Sequence, residues 1–365
     1  MDFAFSEEQQ MLREQARSFL AEKVPNERVA ELATSDEYWD PSTWPAIAEL
    51  GWLGLSVPED QGGAGMGFLE EAVLFEESGY ALYPGPYFAT VGLALPALAH
   101  HADALARVIA GDAAATLAWA EPSGSGSLSD LDAVGTKAES SNGSWTLSGE
   151  KDRIPDAGLA RLVVVTAATA EGPALFLVDD EVSPAVLTTV DSTRRLGRLE
   201  LQGLSATLLA GPDEAPALVE RIRLRALAAA ALEAVGIAQK ALELAVAHAS
   251  ERKQFDKPIG TYQAVSHQVA NIYIETELAR SLAYWAAWCV AEGDEQAAVA
   301  VAAAKSAAAE AAVAACERSI QVHGGIGFTW EHILHRYYKR AEWIDSFENF
   351  GSVQRAAIAG SLLDG

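Results

Sequence analysis

Residues 323–332 read HGGIGFTWEH, a glycine-rich segment that follows a long alanine-rich run of strong helical character. A helix C-terminus needs only one glycine, in the left-handed conformation, to cap its last carbonyl groups. Gly324, Gly325 and Gly327 are more than such a cap requires. The segment therefore predicts either a flexible turn after the helix or a main chain that approaches another group closely, where a Cβ atom would interfere.

The chain before this segment begins helical and then changes character. Ser6 followed by Gln9 predicts a capping box at the start of the first helix. The middle part contains short β-branched runs, SWTLSGEK, ARLVVVTAAT, PALFLVDD and LSATLLAG, at the spacing of an antiparallel β domain. The sequence thus predicts a helical part followed by a β part.

From about residue 213 the helical period returns, and it predicts long helices that end near Lys253, Glu292 and His323. The whole chain reads α, then β, then α, which is an α+β fold. We predict an N-terminal α-helical domain over 1–115, a middle β domain over 116–212 and a C-terminal α-helical domain over 213–365.

The composition limits the classes of function. Acidic residues number 51 and basic residues 26, for a formal net charge of −25. Nucleic-acid binding relies on clustered Lys and Arg, so we expect no nucleic-acid partner. We also expect no membrane insertion, since the most apolar stretch, 296–316, carries Lys305 and Glu310.

The N-terminus MDFAFSEEQQ lacks the pattern of a signal peptide, which favours a cytoplasmic protein. Cys289 and Cys316 both fall in predicted helices, and buried reduced thiols are favoured over a disulfide. The histidines and cysteines do not fall at metal-ligand spacing, so no metal site is predicted. The glycine-rich nucleotide motifs that follow a strand, the Walker loop and the G-x-S-x-G elbow of hydrolases are absent from the sequence.

Four segments in order resemble the acyl-CoA dehydrogenase family: ELGWLGLSVPEDQGGAGMG, AEP at 120–122, ERKQFDKPIGTYQAVSHQVAN at 251–271 and QVHGGIGFTWEH at 321–332. The similarity covers essentially the whole chain. It implies an N-terminal helical domain, a middle antiparallel β domain and a C-terminal four-helix bundle domain. It also implies that FAD and an acyl-CoA bind between the domains, usually in tetramers built from dimers.

The resemblance gives a role to the glycine-rich segment. In the family, the residues that match Gln321, Gly324, Gly325 and Gly327 lie against the adenosine and pyrophosphate end of an FAD that the neighbouring subunit mainly holds. Bare backbone would permit this approach. The alternative is a helix cap with a flexible turn.

Two more positions carry over from the family to the same cofactor. Arg252 and Phe255 match an R-x-x-F motif whose arginine reaches the pyrophosphate, a task that suits a planar guanidinium with fixed donors. A solvated arginine at a helix end is the alternative. Gln263 matches a glutamine that faces the flavin, and the alternative is a buried amide that bonds to backbone.

The resemblance also implies a catalytic base. The family's reaction removes the proton α to the thioester while the flavin accepts a hydride from the β carbon, so the base faces the flavin across the acyl chain. A count without gaps places Glu348, in SFENFG, at the glutamate of the family's Y-E-G-T motif, with Phe347 at the aromatic position. Asn349 and Phe350 replace the Gly and Thr. The alternative for Glu348 is a solvated glutamate at a helix end.

Some relatives place the base on the first helix of the C-terminal domain. The matching position here is Ala226, which has no acidic group. Glu233, further along the same predicted helix, is a weaker substitute. A cap or a salt bridge within the bundle is its alternative role.

The chain departs from the family at the flavin ring. The family's W-I-T or W-I-S segment, whose hydroxyl bonds the ring, is here DRIPDAG, with Arg153 and Pro155 at those places, and the hydroxyl before EP is Ala120. Two expected donors are lost. This pattern resembles one subunit of the heteromeric α2β2 acyl-CoA dehydrogenases, in which each FAD lies between unlike chains. The chain keeps the Arg and Gly-rich contacts and loses the β-domain contacts.

The sequence leaves three hypotheses for function. The first is an FAD-dependent acyl-CoA dehydrogenase subunit, in a homo- or hetero-tetramer, which converts an acyl-CoA of lipid metabolism to the 2-enoyl-CoA and passes electrons to an electron-transferring flavoprotein. The second is a non-catalytic structural subunit that completes a partner's FAD site. The third is an acyl-CoA-binding scaffold without flavin.

Overall fold

The computed structural model describes residues 5–35, 38–124 and 126–363. Its N-terminal part is helical, as predicted, and contains α1 (Glu7–Lys23), α2 (Asn26–Leu32), α3 (Thr43–Glu49), α4 (Phe68–Tyr80), α5 (Leu95–Leu98) and α6 (Ala102–Ile109). Ser6 and Gln9 form the predicted capping box of α1, because the Ser6 hydroxyl accepts from the Gln9 N–H and the Gln9 amide oxygen accepts from the Ser6 N–H, each at 3.1 Å. A π-helical segment, Phe88–Ala94, leads directly into α5.

The middle part is a sheet. Its strands are β1 (Ala115–Ala118), β2 (Lys137–Ser141), β3 (Ser144–Pro155), β4 (Leu162–Ala168), β5 (Pro173–Val178), β6 (Ala185–Val186) and β7 (Leu196–Ala210). The order is β1-β4-β2-β3-β7-β5, and β5 also pairs with β4, so the strands from β4 to β5 close into a barrel. Most pairs are antiparallel, as predicted, while β4 runs parallel to β1 and, at one position, to β2.

The C-terminal part is helical, apart from a short hairpin of β8 (Lys253–Gln254) and β9 (Lys257–Pro258). Its helices are α7 (Ala215–Glu251), α8 (Gln263–Glu292), α9 (Ala297–His323), α10 (Leu334–Ser346) and α11 (Gly351–Leu363). The three long helices end close to the predicted residues. The predicted domain boundaries, after residues 115 and 212, stay predictions; β1 begins at Ala115 and α7 at Ala215.

The two helical parts share one hydrophobic core, and the barrel interior holds a second, smaller one. Helices α4 and α7 cross at two glycines. A Cβ atom on Gly79 would lie 2.1 Å from the carbonyl oxygen of Glu233, and one on Gly236 would lie 2.0 Å from that of Glu76. The backbones of the two helices therefore touch, because neither glycine has a side chain to hold them apart.

Helix α9 explains the apolar run in the sequence. The segment Ala297–Phe328 is long and apolar enough to span a membrane, but 67% of its most apolar window is buried in the protein. Lys305 within it is fully buried and donates to the carbonyl of Asp345 at 3.1 Å. Cys289 and Cys316 are free and buried, as predicted. The run is thus the core helix of the C-terminal bundle.

Candidate functional site

One group of predicted site residues lies where α7 ends, α8 begins and α9 ends. Arg252 is the C-cap of α7, and its N–H donates to the carbonyl of His248 at 2.9 Å. The next residues form the β8–β9 hairpin, which carries Phe255 at its tip with φ 50° and 86% of its surface exposed. Gln263, the first residue of α8, is exposed, so the alternative of a buried amide is wrong.

The glycine-rich segment follows α9 at this same end. Gly324 has φ +65°, and a Cβ atom on Gly324 or Gly325 would meet nothing within 4 Å. A Cβ atom on Gly327 would lie 2.9 Å from the Cβ of His323, so this glycine is required by the chain's own packing. Gly324 does cap the helix, because its N–H donates to carbonyls of the last turn. Gly324 and Gly325 also leave an open stretch of main chain beside the exposed Gln321.

Three histidines that the sequence reading did not single out lie at this end of the bundle. The ring of His323 stacks on His248, with centroids 4.4 Å apart, and tilts against His332 at 4.5 Å. Burial lowers the pKa of each of the three imidazoles, and their mutual repulsion lowers the pKa of His248 and His332 further. The rings are therefore neutral near neutral pH.

These features fit the pyrophosphate and adenosine end of FAD. Arg252 is exposed, and its guanidinium has no ion pair or hydrogen bond with any described residue, so it is available to an external anion. The open backbone at Gly324 and Gly325 admits a close approach. The helix-end position of Arg252 matches the predicted alternative as well, so its role stays a prediction.

Glu348 lies elsewhere, in the turn between α10 and α11. It is buried, which rules out the alternative of a solvated glutamate. Glu348 has φ 52° and Asn349 has φ 74°, so two consecutive residues are left-handed. Asparagine tolerates this conformation better than most residues, which explains how Asn349 replaces the glycine of the family motif.

The carboxylate of Glu348 is held by the loop between β1 and β2. The N–H of Leu128 donates to Oε1 at 2.8 Å, and the hydroxyl of Ser127 donates to Oε2 at 3.0 Å. Burial raises the pKa of Glu348 to about 7. The hydrogen bonds from Leu128 and Ser127, the charge of Arg223 and the indole of Trp119 act in the opposite direction and lower it. The group is thus poised to gain or lose a proton near neutral pH.

Aromatic side chains from all three parts of the chain pack beside Glu348. Phe347 stacks on Trp343 with centroids 5.2 Å apart, and it meets Phe88 and Trp119 edge-on at 5.4 and 6.1 Å. These rings exclude water from one side of the turn, and this is the physical origin of the raised pKa.

Glu233 is not a free base. Its carboxylate accepts two hydrogen bonds from Arg194, at 2.7 and 2.8 Å, and both side chains are 2% exposed. Arg194 in turn lies over the rings of Phe88 and Trp343, at 4.4 and 4.6 Å. Glu233 therefore forms a salt bridge, but its partner lies in the loop before β7 and not within the bundle, as the alternative had it. Ala226, on the same helix, is buried in the core. The sequence offered no signal that Arg194, in the loop before β7, would be its partner.

The barrel lacks the two expected donors to a flavin ring. Pro155 has no N–H, and its carbonyl accepts the Thr116 hydroxyl at 2.6 Å. Arg153 has φ 53°, and its guanidinium donates to the carbonyl of Glu121 at 3.2 Å. Ala120 has no hydroxyl, and its carbonyl accepts from the Asp152 N–H at 2.9 Å. The barrel surface therefore does not fit the flavin ring, whereas the surface around Arg252 fits the pyrophosphate.

The two groups of residues are far apart in one chain. Lys305, which supports the turn of Glu348, and Gly324 are on α9 or directly after it, 19 positions apart. At 1.5 Å per residue this is roughly 28 Å along the helix. Glu348 and the surface around Arg252 therefore belong to two different sites on the chain.

Among the described residues, no group of three or more His, Cys, Asp or Glu side chains is arranged to hold a metal ion.

Comparisons with known proteins agree with this architecture. The models of the N-terminal and C-terminal domains of acyl-CoA dehydrogenase match residues 6–107 and 223–363. Acyl-CoA dehydrogenase IpdE2 of Mycobacterium tuberculosis is 33% identical over 92% of this chain and 91% of its own length.

Two solved structures are similar over almost the whole chain. The ChsE4-ChsE5 complex from Mycobacterium tuberculosis matches with a TM-score of 0.89 and 28% identity, over 100% of both chains. A variant of the Tcur3481-Tcur3483 steroid ACAD matches with a TM-score of 0.87 and 32% identity, over 98% of both chains.

Proposed function

Because this chain belongs to the acyl-CoA dehydrogenase family, a family of FAD-dependent oxidoreductases, we propose that it acts as one subunit of a heteromeric α2β2 acyl-CoA dehydrogenase. The reaction converts an acyl-CoA thioester to the 2-enoyl-CoA. Electrons then pass to an electron-transferring flavoprotein. Two observations support the proposal, one for the chemistry and one for the assembly.

The chemistry rests on Glu348. A general base needs a pKa near the working pH, and burial raises the pKa of this carboxyl to about 7. Ionised Glu348 removes the α proton of the thioester, which passes to one of its carboxylate oxygens. The chemistry that FAD would supply when bound is that of an acceptor for the hydride from the β carbon. The aromatic rings around Phe347 keep water away from the carboxylate, so that it stays basic.

The assembly rests on the separation of the two sites. The surface around Arg252 offers a cation and open backbone for the pyrophosphate end of FAD, whereas the barrel offers poor contacts for the ring. A second chain that carries the missing ring contacts would complete a cofactor site with this surface. The similar ChsE4-ChsE5 structure, which is a complex, supports this arrangement.

Exposed apolar side chains also favour assembly. They lie on the hairpin tip, the glycine-rich segment and the outer face of α8: Phe255, Tyr273, Ile274, Leu278, Ile326, Phe328 and Trp330. Exposed large apolar residues on neighbouring elements are typical of an interaction surface. We propose that a partner chain covers it in a tetramer.

A second candidate function has its own support. Both oxygens of Glu348 are engaged by the loop of Ser127 and Leu128, and Arg194 with Glu233 fills the space behind the aromatic rings. A chain whose own site is filled in this way could be a non-catalytic subunit that completes a partner's FAD site.

The flavin spectrum of the purified chain tests the shared cofactor site. We expect the chain alone to be colourless and monomeric or aggregated, and co-expression with a second acyl-CoA dehydrogenase chain to give a yellow tetramer by light scattering. A yellow homo-oligomer from this chain alone would refute the heteromeric arrangement.

A further inference from the structure

We propose that Ser127 is a positioning residue, whose hydroxyl orients the carboxylate of Glu348 together with the main-chain N–H of Leu128. The inference rests on the proposed function, because it gives Ser127 a task only if Glu348 is the base. The two residues are 221 positions apart in the chain and belong to different parts of the fold.

The hydrogen bonds leave the carboxylate able to react. Leu128 N–H bonds Oε1 at 2.8 Å and the Ser127 hydroxyl bonds Oε2 at 3.0 Å. Each oxygen of a carboxylate has two lone pairs, so each keeps one for a proton. With both oxygens fixed, the plane of the carboxylate is fixed too, which is what a base needs to meet a C–H bond in one direction.

The main chain of the turn is fixed by other groups. The Gln354 amide donates to the carbonyl of Glu348 at 2.8 Å, and Lys305 donates to that of Asp345 at 3.1 Å. The hydrogen bonds from Ser127 and Leu128 to this turn both end on the Glu348 side chain. The Leu128 donor is a main-chain N–H, which a substitution leaves in place. The Ser127 donor is a side-chain hydroxyl, which a substitution can remove.

Charged groups from two helices face the same carboxylate. Arg223 on α7, which pairs with Glu220 at 2.7 Å, lowers the pKa of Glu348. Lys305 on α9 faces both Glu348 and Asp345 at the end of α10. These charges remain when Ser127 is changed. The loss of a donor to the ionised form should therefore raise the pKa of Glu348 above its present position.

The test uses the assembled holoenzyme and three variants. Ser127→Ala removes the hydroxyl, Ser127→Thr keeps it, and Ser123→Ala changes an exposed serine of the same loop that has no hydrogen bond with any described residue. The readout is the pH profile of kcat/KM on a panel of straight-chain and alicyclic acyl-CoA thioesters. We expect Ser127→Ala to move the acid limb up by about one pH unit, with Ser127→Thr and Ser123→Ala near wild type.

A second readout does not depend on activity. The pKa of Glu348 in the folded protein lies above its ordinary value of 4.5, so its contribution to stability is present below pH 4.5 and is lost as pH rises through about 7. In Ser127→Ala, the loss of this stability should extend to a higher pH than in wild type. In Glu348→Gln, the pH dependence that comes from Glu348 should disappear. Thermal unfolding between pH 4 and pH 9 measures both.

The outcomes distinguish the positioning role of Ser127 from the catalytic role of Glu348. If the acid limbs of Ser127→Ala and Ser123→Ala coincide while Glu348→Gln is inactive, the positioning role is overturned and the proposed function stands. Wild-type turnover by Glu348→Gln overturns the role of Glu348 as the base, and the positioning role of Ser127 with it, whatever the unfolding curves show.

Discussion

Arg194 and Glu233 form a two-point ion pair that joins the loop before β7 to the middle of α7, with Nη1–Oε2 and Nη2–Oε1 distances of 2.7 and 2.8 Å. Arg194 also lies against two aromatic rings of the cluster beside Glu348. The pair therefore connects the barrel, the C-terminal bundle and the candidate catalytic turn.

Removal of one partner should be strongly destabilising. Glu233→Gln leaves the Arg194 charge buried without its counter-ion, which should lower the free energy of unfolding by about 3–5 kcal/mol. Chemical unfolding measures the loss, and Glu31→Gln is the control, because its pair with Arg28 is exposed and exposed pairs contribute about 0–1 kcal/mol. Similar losses in both variants would contradict the prediction.

Asp156 should give the protein a pH-dependent stability. It is 2% exposed, Oδ2 has no hydrogen-bond partner among the described residues, and burial raises its pKa from 3.8 to about 7, against the charges of Arg194 and Arg340. A folded pKa above the unfolded one means that stability falls as pH rises through this window.

Asp156→Asn cannot ionise and loses this dependence. Relative to wild type, we expect the variant to gain about 2–3 kcal/mol of stability between pH 5 and pH 8, because wild type loses that much as Asp156 ionises. Thermal unfolding at the two pH values checks this, and equal differences at both would show that Asp156 does not titrate in the folded protein with a pKa between them.

Arg252 should hold the cofactor. Arg252→Ala removes a charge-assisted contact to a phosphate, so FAD retention by the assembled protein should weaken by about 1–3 kcal/mol. Lys253→Ala is the matched control, since Lys253 is the next residue, exposed and of the same charge. The measurement is FAD content after extensive dialysis. Equal content in Arg252→Ala and Lys253→Ala would remove Arg252 from the site.

Glu348 should be the base. Glu348→Gln keeps the shape of the side chain but accepts no proton, so turnover should fall by at least about 10²-fold. FAD content and the affinity for acyl-CoA should barely change, which separates a chemical role from a structural one. Glu342→Gln on the same chain segment serves as control. If the Glu348 variant keeps wild-type turnover, the base lies in the partner chain.

The long helices and the capping box of α1 could be predicted because they depend on local patterns. The spacing of Ser6 and Gln9 predicts the capping box, and the helical period after residue 213 predicts the long helices. Both patterns are visible within a short stretch of sequence. The contacts around Glu348 could not be predicted in the same way. Ser127 and Glu348 are 221 positions apart in the chain, and neither segment contains a pattern that predicts their contact.

The burial of single polar residues could not be predicted from the sequence either. The sequence treated burial of Gln263 and exposure of Glu348 as open possibilities, and the structure reverses both, with Gln263 exposed and Glu348 buried. Burial of a polar side chain is decided by which elements pack over it, and in the case of Glu348 these come from three parts of the chain.

The crossing of α4 and α7 at Gly79 and Gly236 has a mechanical consequence. Backbones in direct contact cannot slide past one another without a clash, so the N-terminal helices and α7 should move as a single rigid body. Any opening that admits a thioester to Glu348 must then take its hinge elsewhere. We expect the segment between β1 and β2 to supply it, because the described residues of this segment form no α-helix and contact Glu348 through Ser127 and Leu128.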